Sequence, residues 1–178
     1  ALLWDMRGRA IAKDIDRYPT HYFACSDLAA NFMFPDKPYT WIRNGIDSAR
    51  FAYNIAVRKR LRSELGIAEH TSVIGFCGGL RPQKNPMFLM RMFERYHVIH
   101  PESVLILVGD GLLREEIERS VVEMNLEDCV HLLGQRADVA ELYQAMDAFV
   151  LPSVAEGLGI VYIEAQCAGL PCLGSAGV

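Results

Sequence analysis

The stretch TSVIGFCGGLRPQKNPMFLMRMFERYHVI, residues 71–99, decides the fold. It opens on a β-rich apolar run that ends in Gly78 and Gly79, and after a short basic loop it turns to helical composition. Asn85 followed by Pro86 supplies an N-cap residue and a first-turn proline, so the spacing predicts a helix starting at Pro86. The same alternation runs onward through SVLILVGD, LLREEIERSVVEMN, CVHLLG, ADVAELYQAM, AFVLPS, GIVYIEAQCAG and PCLG. Strands that are apolar throughout and separated by helices belong to a parallel sheet covered on both faces. The predicted fold class is therefore α/β, a doubly wound parallel sheet over residues 71–178.

Local signals agree. Leu112, Ile117 and Val121 recur at helical spacing among charged residues, which predicts one buried helix face. Gly169 ahead of Leu170 and Pro171 closes the last helix and opens a strand. Upstream the pattern differs. THYFACSDLAANFMF reads as a strand, a cap at Ser26 or Asp27 and a short helix, and YTWIRNGID as a strand ending in an Asn-Gly turn. Residues 1–47 hold too few elements to bury a core of their own, and 48–70 read as a charged helical connector. Residues 1–47 are expected to be the remnant of a second domain, and the chain a fragment of a larger two-domain protein. Strands cut from their sheet leave apolar surface that favours self-association.

Composition narrows the function classes. About half the 178 residues are apolar and 22% are charged, so a packed core is expected. A net charge of −4 gives no general electrostatic reason to bind nucleic acid. The five cysteines are odd in number and lack C-x-x-C spacing, which favours core thiols in a reducing compartment over disulfides or a metal site. Pro152, Glu156 and Glu164 interrupt the longest apolar run, so no membrane span is expected, and Asp5 and Arg7 come too early for a signal-peptide core. These features read as a cytoplasmic protein.

Chemistry is expected where open α/β sheets bind ligands, at the carboxyl ends of the strands. In GGLRPQKNP, residues 78–86, two glycines permit close backbone approach, Arg81 and Lys84 supply cationic donors, and a helix begins at Pro86. Those are the ingredients of a phosphate site; the alternative is a solvated turn. GDGLLR, residues 109–114, has arginine where a dinucleotide fingerprint needs its third glycine, so it reads as a strand-to-helix turn in which Asp110 helps to cap. In GQRADV, Gly134, Gln135 and Arg136 either border a base or cap a helix.

LPSVAEGLGIVYIEA, residues 151–165, runs from a strand through a loop into a helix. Glu156, Gly157 and Leu158 lie in that loop, the N–H groups of Gly159, Ile160 and Val161 are expected free at the helix start, and Glu164 falls about a turn in. Such a terminus suits a diphosphate. Two carboxylates accept hydrogen bonds from paired hydroxyls, so the set suits a nucleotide sugar. The alternative places both glutamates in solvent, although the apolar neighbours of Glu164 leave little polar face around it.

NGID at 44–47, GL-x-x-x-KNP at 79–86, VGDG with LREEIE at 108–118, MDAFVLPS at 146–153 and EGLGIVYIEAQCAGLP at 156–171 together resemble the retaining group 1 glycosyltransferases, family 4, of GT-B fold. The resemblance covers nearly the whole chain and is most specific in the last motif. It implies a two-domain hexosyltransferase in which an N-terminal domain binds the acceptor and residues 71–178 bind a UDP- or GDP-linked sugar. Lys84 would then meet the donor diphosphate, Glu156 the sugar hydroxyls, Glu164 the ribose, the 159–161 backbone the phosphates, and residues 134–136 the base. No metal or cofactor is expected beyond the donor substrate itself. The acceptor would be a saccharide or lipid-linked saccharide of bacterial surface polysaccharide or glycolipid synthesis, with room for peripheral membrane contact by the intact protein. At one place the chain departs from the family pattern: glycine-arginine-leucine is replaced by Gly78-Gly79-Leu80, with Arg81 two positions on. A nucleotide-sugar epimerase of the same fold and a non-catalytic nucleotide-binding module are the alternatives, and the motif order and the retained Lys84, Glu156 and Glu164 speak against them.

Overall fold

A computed structural model of the protein describes residues 18–175. The chain divides into two compact units, one ending at Gly45 and the other beginning at Ile46. In the first, strands β1 (Phe23–Ala24) and β2 (Thr40–Trp41) pair in parallel, joined by helix α1 (Asp27–Met33). Ser26 is the helix cap, and its hydroxyl accepts from the Ala29 N–H at 3.1 Å. Ala24 and Ala30 are buried, and Phe34 packs against the rings of Tyr22 and Tyr39. Phe23, Leu28, Phe32, Trp41 and Ile42 remain exposed, as expected of a pair of strands too small to enclose a core.

The second unit begins with helices α2 (Ser48–Phe51) and α3 (Ile55–Glu64). Strands β3 (Ser72–Cys77), β4 (Ser103–Val108), β5 (Val130–Gly134), β6 (Ala148–Leu151) and β7 (Cys172–Gly174) then form one parallel sheet in the order β5-β4-β3-β6-β7. Between them lie α4 (Pro86–Ile99), α5 (Arg114–Glu123), α6 (Val139–Ala145) and α7 (Ile160–Cys167). Helices α4 and α5 pack together, as do α3 and α6, and α2 meets α6 and α7. Right-handed crossovers that step outward from β3 in opposite directions put these two groups on opposite faces of the sheet. Val73, Phe76, Leu105, Ile106, Phe149 and Leu151 are wholly buried, which is why neighbouring strand positions are apolar without alternation.

Three local expectations need correction. Asn85 takes the N-cap position of α4 but makes no side-chain cap, because it stands in the left-handed region at φ 51° while closing the 3₁₀ turn Pro82–Lys84. Leu112 is 88% exposed: α5 starts at Arg114, so Leu112 belongs to the preceding turn, and the buried face is formed by Ile117 and Val121 with Ser120. The strand read over YTWIRNGID is just two residues long.

Helix α3 is fastened to the sheet by charge. Asp147, immediately before β6, accepts from Arg58 Nη2 at 2.6 Å, Arg62 Nη1 at 3.2 Å and the Val73 N–H at 2.8 Å. Arg62 is buried, and its Nη1 and Nη2 groups also reach the carbonyls of Ala145, Ala68, Glu69 and Thr71.

Candidate functional site

The strand order reverses between β3 and β6, and their carboxyl ends open the crevice in which a doubly wound sheet binds ligands. The loop after β3 carries Gly78 to Lys84, and the loop after β6 carries Ser153 to Gly159. One backbone bond and one side-chain bond tie the two together. The Val154 N–H donates to Gln83 O at 2.8 Å, and Gln83 Nε2 donates to Ala155 O at 2.7 Å.

On that frame Lys84 and Glu156 meet. Lys84 Nζ donates to Glu156 Oε1 at 2.5 Å, and the buried Ser153 hydroxyl donates to the same oxygen at 2.6 Å. The Glu156 side chain is only 9% exposed and that of Lys84 22%, so the pair is poorly screened and held in one geometry. One carboxylate oxygen is thereby saturated from within the protein. Lysine has three donor hydrogens and this contact uses one, so Lys84 keeps capacity for an anion.

The glycines of the loop serve close approach. A Cβ on Gly109, whose φ is +130°, would stand 2.0 Å from the Gly78 carbonyl oxygen. Gly78 and Leu80 donate to the carbonyls of Val108 and Asp110 at 2.9 and 3.0 Å, which ties the basic loop to the end of β4. Arg81 folds back over Gly79: a Cβ at position 79 would meet its Nε at 3.4 Å and its Cγ and Cδ at 3.7 Å. The guanidinium stem therefore overlies the spot from which a side chain at 79 would have started.

Glu164 lies half-buried in α7, and its Oε2 accepts from the Tyr143 hydroxyl at 2.9 Å. Burial holds that phenol far above its ordinary range, with Cys77 and Glu164 adding to the effect, so it remains a donor. The Cys77 thiol beside it is also pushed up by burial, to about 11. Of the three backbone donors expected at the start of α7, Ile160 turns its N–H to Leu158 O at 2.9 Å, and the expectation for that residue is corrected. Gly159 has no room for a side chain, since a Cβ there would stand 2.8 Å from the Tyr162 ring. Tyr162 in turn donates to Leu151 O at 2.8 Å, locking the first turn of α7 to β6.

The 134–136 turn stands apart. It follows β5, two strands from β3, and Arg136 is engaged by Asp138 through Nε at 2.8 Å and Nη2 at 2.6 Å. Gln135 and Arg136 are exposed, and Gly134 has φ +65°. Sequence reasoning missed Ser153 and Tyr143, whose roles depend on neighbours across the fold. Among the described residues no cluster of three or more His, Cys, Asp or Glu side chains is placed to hold a metal ion, and no helix is long and apolar enough to cross a membrane.

Residues 57–178 match the sequence profile of the glycosyl transferases group 1. The chain belongs to the group 1 glycosyltransferases. Among its relatives, the Escherichia coli UDP-Gal:alpha-D-GlcNAc-diphosphoundecaprenol alpha-1,3-galactosyltransferase is 37% identical over 136 residues, covering 74% of this chain and 35% of that protein. The N-acetyl-alpha-D-glucosaminyl L-malate synthase of Bacillus anthracis is 31% identical over 141 residues, covering 79% and 36%. Among solved structures, Anabaena HepE in complex with UDP and glucose superposes with a TM-score of 0.85 at 25% identity, over 96% of this chain and 48% of that one. The chain thus spans about a third of the length of these curated relatives, and its sheet is that of the C-terminal domain of GT-B glycosyltransferases.

Proposed function

We propose that residues 46–178 form most of the donor-binding half of a retaining family 4 hexosyltransferase, which passes a sugar from a UDP- or GDP-linked donor to a saccharide or lipid-linked saccharide acceptor. The observation that carries the reading is the Lys84–Glu156 pair at the switch point of the sheet. A cation for a diphosphate and an acceptor for sugar hydroxyls in direct contact span the donor bond that breaks, between the anomeric carbon and the phosphate oxygen, while the acceptor hydroxyl attacks that carbon and its proton leaves with the diphosphate or to solvent.

In this mechanism Lys84 gives its remaining donors to the diphosphate and stabilises the charge that develops on it as the bond breaks. The bound diphosphate is already anionic, so Lys84 tightens binding, and the part of its interaction that grows as the leaving-group charge develops raises the rate. Ser153 and Lys84 hold one oxygen of Glu156, which leaves the other to accept from the sugar. Arg81, laid over Gly79, is the second cation of the phosphate loop, and the Gly157–Leu158 loop with the N–H groups of Gly159 and Val161 meets the phosphates. Glu164 accepts from the ribose, while Gly134, Gln135 and Arg136 border the base. The protein works in the cytoplasm on surface polysaccharide or glycolipid, and the acceptor site lies in an N-terminal domain beyond this chain. That HepE was captured with UDP and glucose, and that the E. coli relative is named for a UDP-sugar and a lipid-linked acceptor, support the assignment.

Calorimetric titration of the chain with UDP, GDP, UDP-glucose, UDP-N-acetylglucosamine and GDP-mannose tests it. Binding of one nucleotide class is expected, weakened about tenfold or more by Lys84→Ala and by Glu164→Ala through loss of a charged hydrogen bond, without turnover by this chain alone. Affinity for every nucleotide untouched by both substitutions would refute the site.

A further inference from the structure

The Tyr143 hydroxyl is a donor aimed from the core at a carboxylate of the site. Tyr143 lies on α6, is wholly buried, and has its ring wedged between Phe51 and Phe149, with centroids 6.0 and 5.7 Å away. Burying a phenol so completely is costly unless its hydroxyl finds a partner. Its partner is the carboxylate of Glu164, at 2.9 Å. Val161 O, at 3.5 Å, is at the limit of reach.

We propose that Tyr143 is a positioning residue for nucleotide recognition: by occupying Oε2 of Glu164 it fixes the carboxylate so that Oε1 faces a ribose hydroxyl of the donor. The proposal rests on the reading of Glu164 as the ribose acceptor. Three features carry it. A glutamate side chain has three rotatable bonds, and a single anchored oxygen removes most of that freedom before the ligand arrives. The anchor is rigid, because the Tyr143 ring is enclosed on both sides. The anchor is also one-way. Burial keeps this phenol protonated, so it remains a donor and the Glu164 oxygen it meets is used as an acceptor. Among the described residues no protein donor reaches Oε1, which stays available to the ligand. The arrangement selects a nucleotide that carries ribose hydroxyls over one that lacks them.

The test compares UDP with 2′,3′-dideoxy-UDP by calorimetry on the wild-type protein, Glu164→Gln and Tyr143→Phe, with GDP and its dideoxy form if GDP is the diphosphate bound. Wild type should prefer the hydroxylated ligand, and Glu164→Gln should lose most of that preference. Tyr143→Phe, which keeps the ring and removes one oxygen, should weaken UDP about tenfold, as for a hydrogen bond to a charged group, and leave the dideoxy ligand unchanged. A purely structural role would instead weaken UDP and its dideoxy form to the same degree. If Tyr143→Phe does not fold, 3-fluorotyrosine at position 143 keeps shape and hydrogen bond while changing donor acidity, and a shifted UDP preference is expected. Loss of the preference in Glu164→Gln but not in Tyr143→Phe, or an unshifted preference with 3-fluorotyrosine, overturns the role of Tyr143 and spares the ribose reading. A preference unchanged in Glu164→Gln overturns both.

Discussion

Replacing Asp147 with asparagine removes one charge at the junction that fastens α3 to the sheet while preserving shape. The wild-type carboxylate accepts from Arg58, Arg62 and the Val73 N–H. In Asp147→Asn the Arg62 guanidinium, whose side chain is 4% exposed, would face only neutral carbonyls, and the new amide would turn a donor toward one of two arginines. Breaking a fully buried ion pair costs about 3–5 kcal/mol and an exposed one under about 1 kcal/mol. Asp147 is 37% exposed, so water softens the loss on its outer side, and about 2–3 kcal/mol is expected. Arg62 Nε already lacks a partner among the described residues, so the guanidinium has little reserve to compensate. Against a total stability of about 5–15 kcal/mol this is a large fraction, equivalent to roughly 4–12 °C in Tm. Urea denaturation followed by far-ultraviolet circular dichroism reads it as a shift in midpoint at constant slope. Arg62→Met added to Asp147→Asn should recover part of the loss, since removing both charges is cheaper than stranding one. A cost below about 0.5 kcal/mol, or strict additivity in the double variant, would refute the reasoning.

Gly109→Ala should destabilise by roughly 2–5 kcal/mol, combining a backbone overlap with Gly78 and a left-handed φ; nucleotide affinity should fall with it, and an unchanged urea midpoint would argue that the turn is not close-packed. Cys77, with its thiol pushed up to about 11, should resist iodoacetamide at neutral pH in the folded protein and react only on unfolding or in strong alkali. The raised value means the unfolded chain releases this proton first. The associated stability is therefore complete below the ordinary thiol value of 9.0 and declines as pH rises toward about 11, visible as a Tm that falls more steeply over that window in wild type than in Cys77→Ala.

Much of the sheet could be read along the chain because its causes are local. A strand buried on both faces has to be apolar at consecutive positions, and Val73 to Cys77 and Leu105 to Val108 are. Pro86 and Gly169 mark helix ends through their own backbone geometry, a fixed φ in one case and a left-handed φ of +81° in the other. Where a local rule failed, a neighbour had overridden it. Asn85 was drawn into closing a 3₁₀ turn and lost its capping bond, and Leu112 fell outside the helix whose period it seemed to share.

The sequence by itself determined the chemical kinds at the site: a lysine and two glutamates at strand ends, set among glycines that let backbone come close. Which of them touch was decided by the tertiary structure. Lys84 and Glu156 are far apart along the chain and meet because β6 lies beside β3, an adjacency produced by strand order rather than by any spacing of residues. Tertiary packing likewise brings Tyr143 to Glu164 and Arg62 to Asp147. Hydrogen bonds and ion pairs act over a few ångströms, so they are set by which elements pack together, whereas burial and backbone preference act on each residue where it stands.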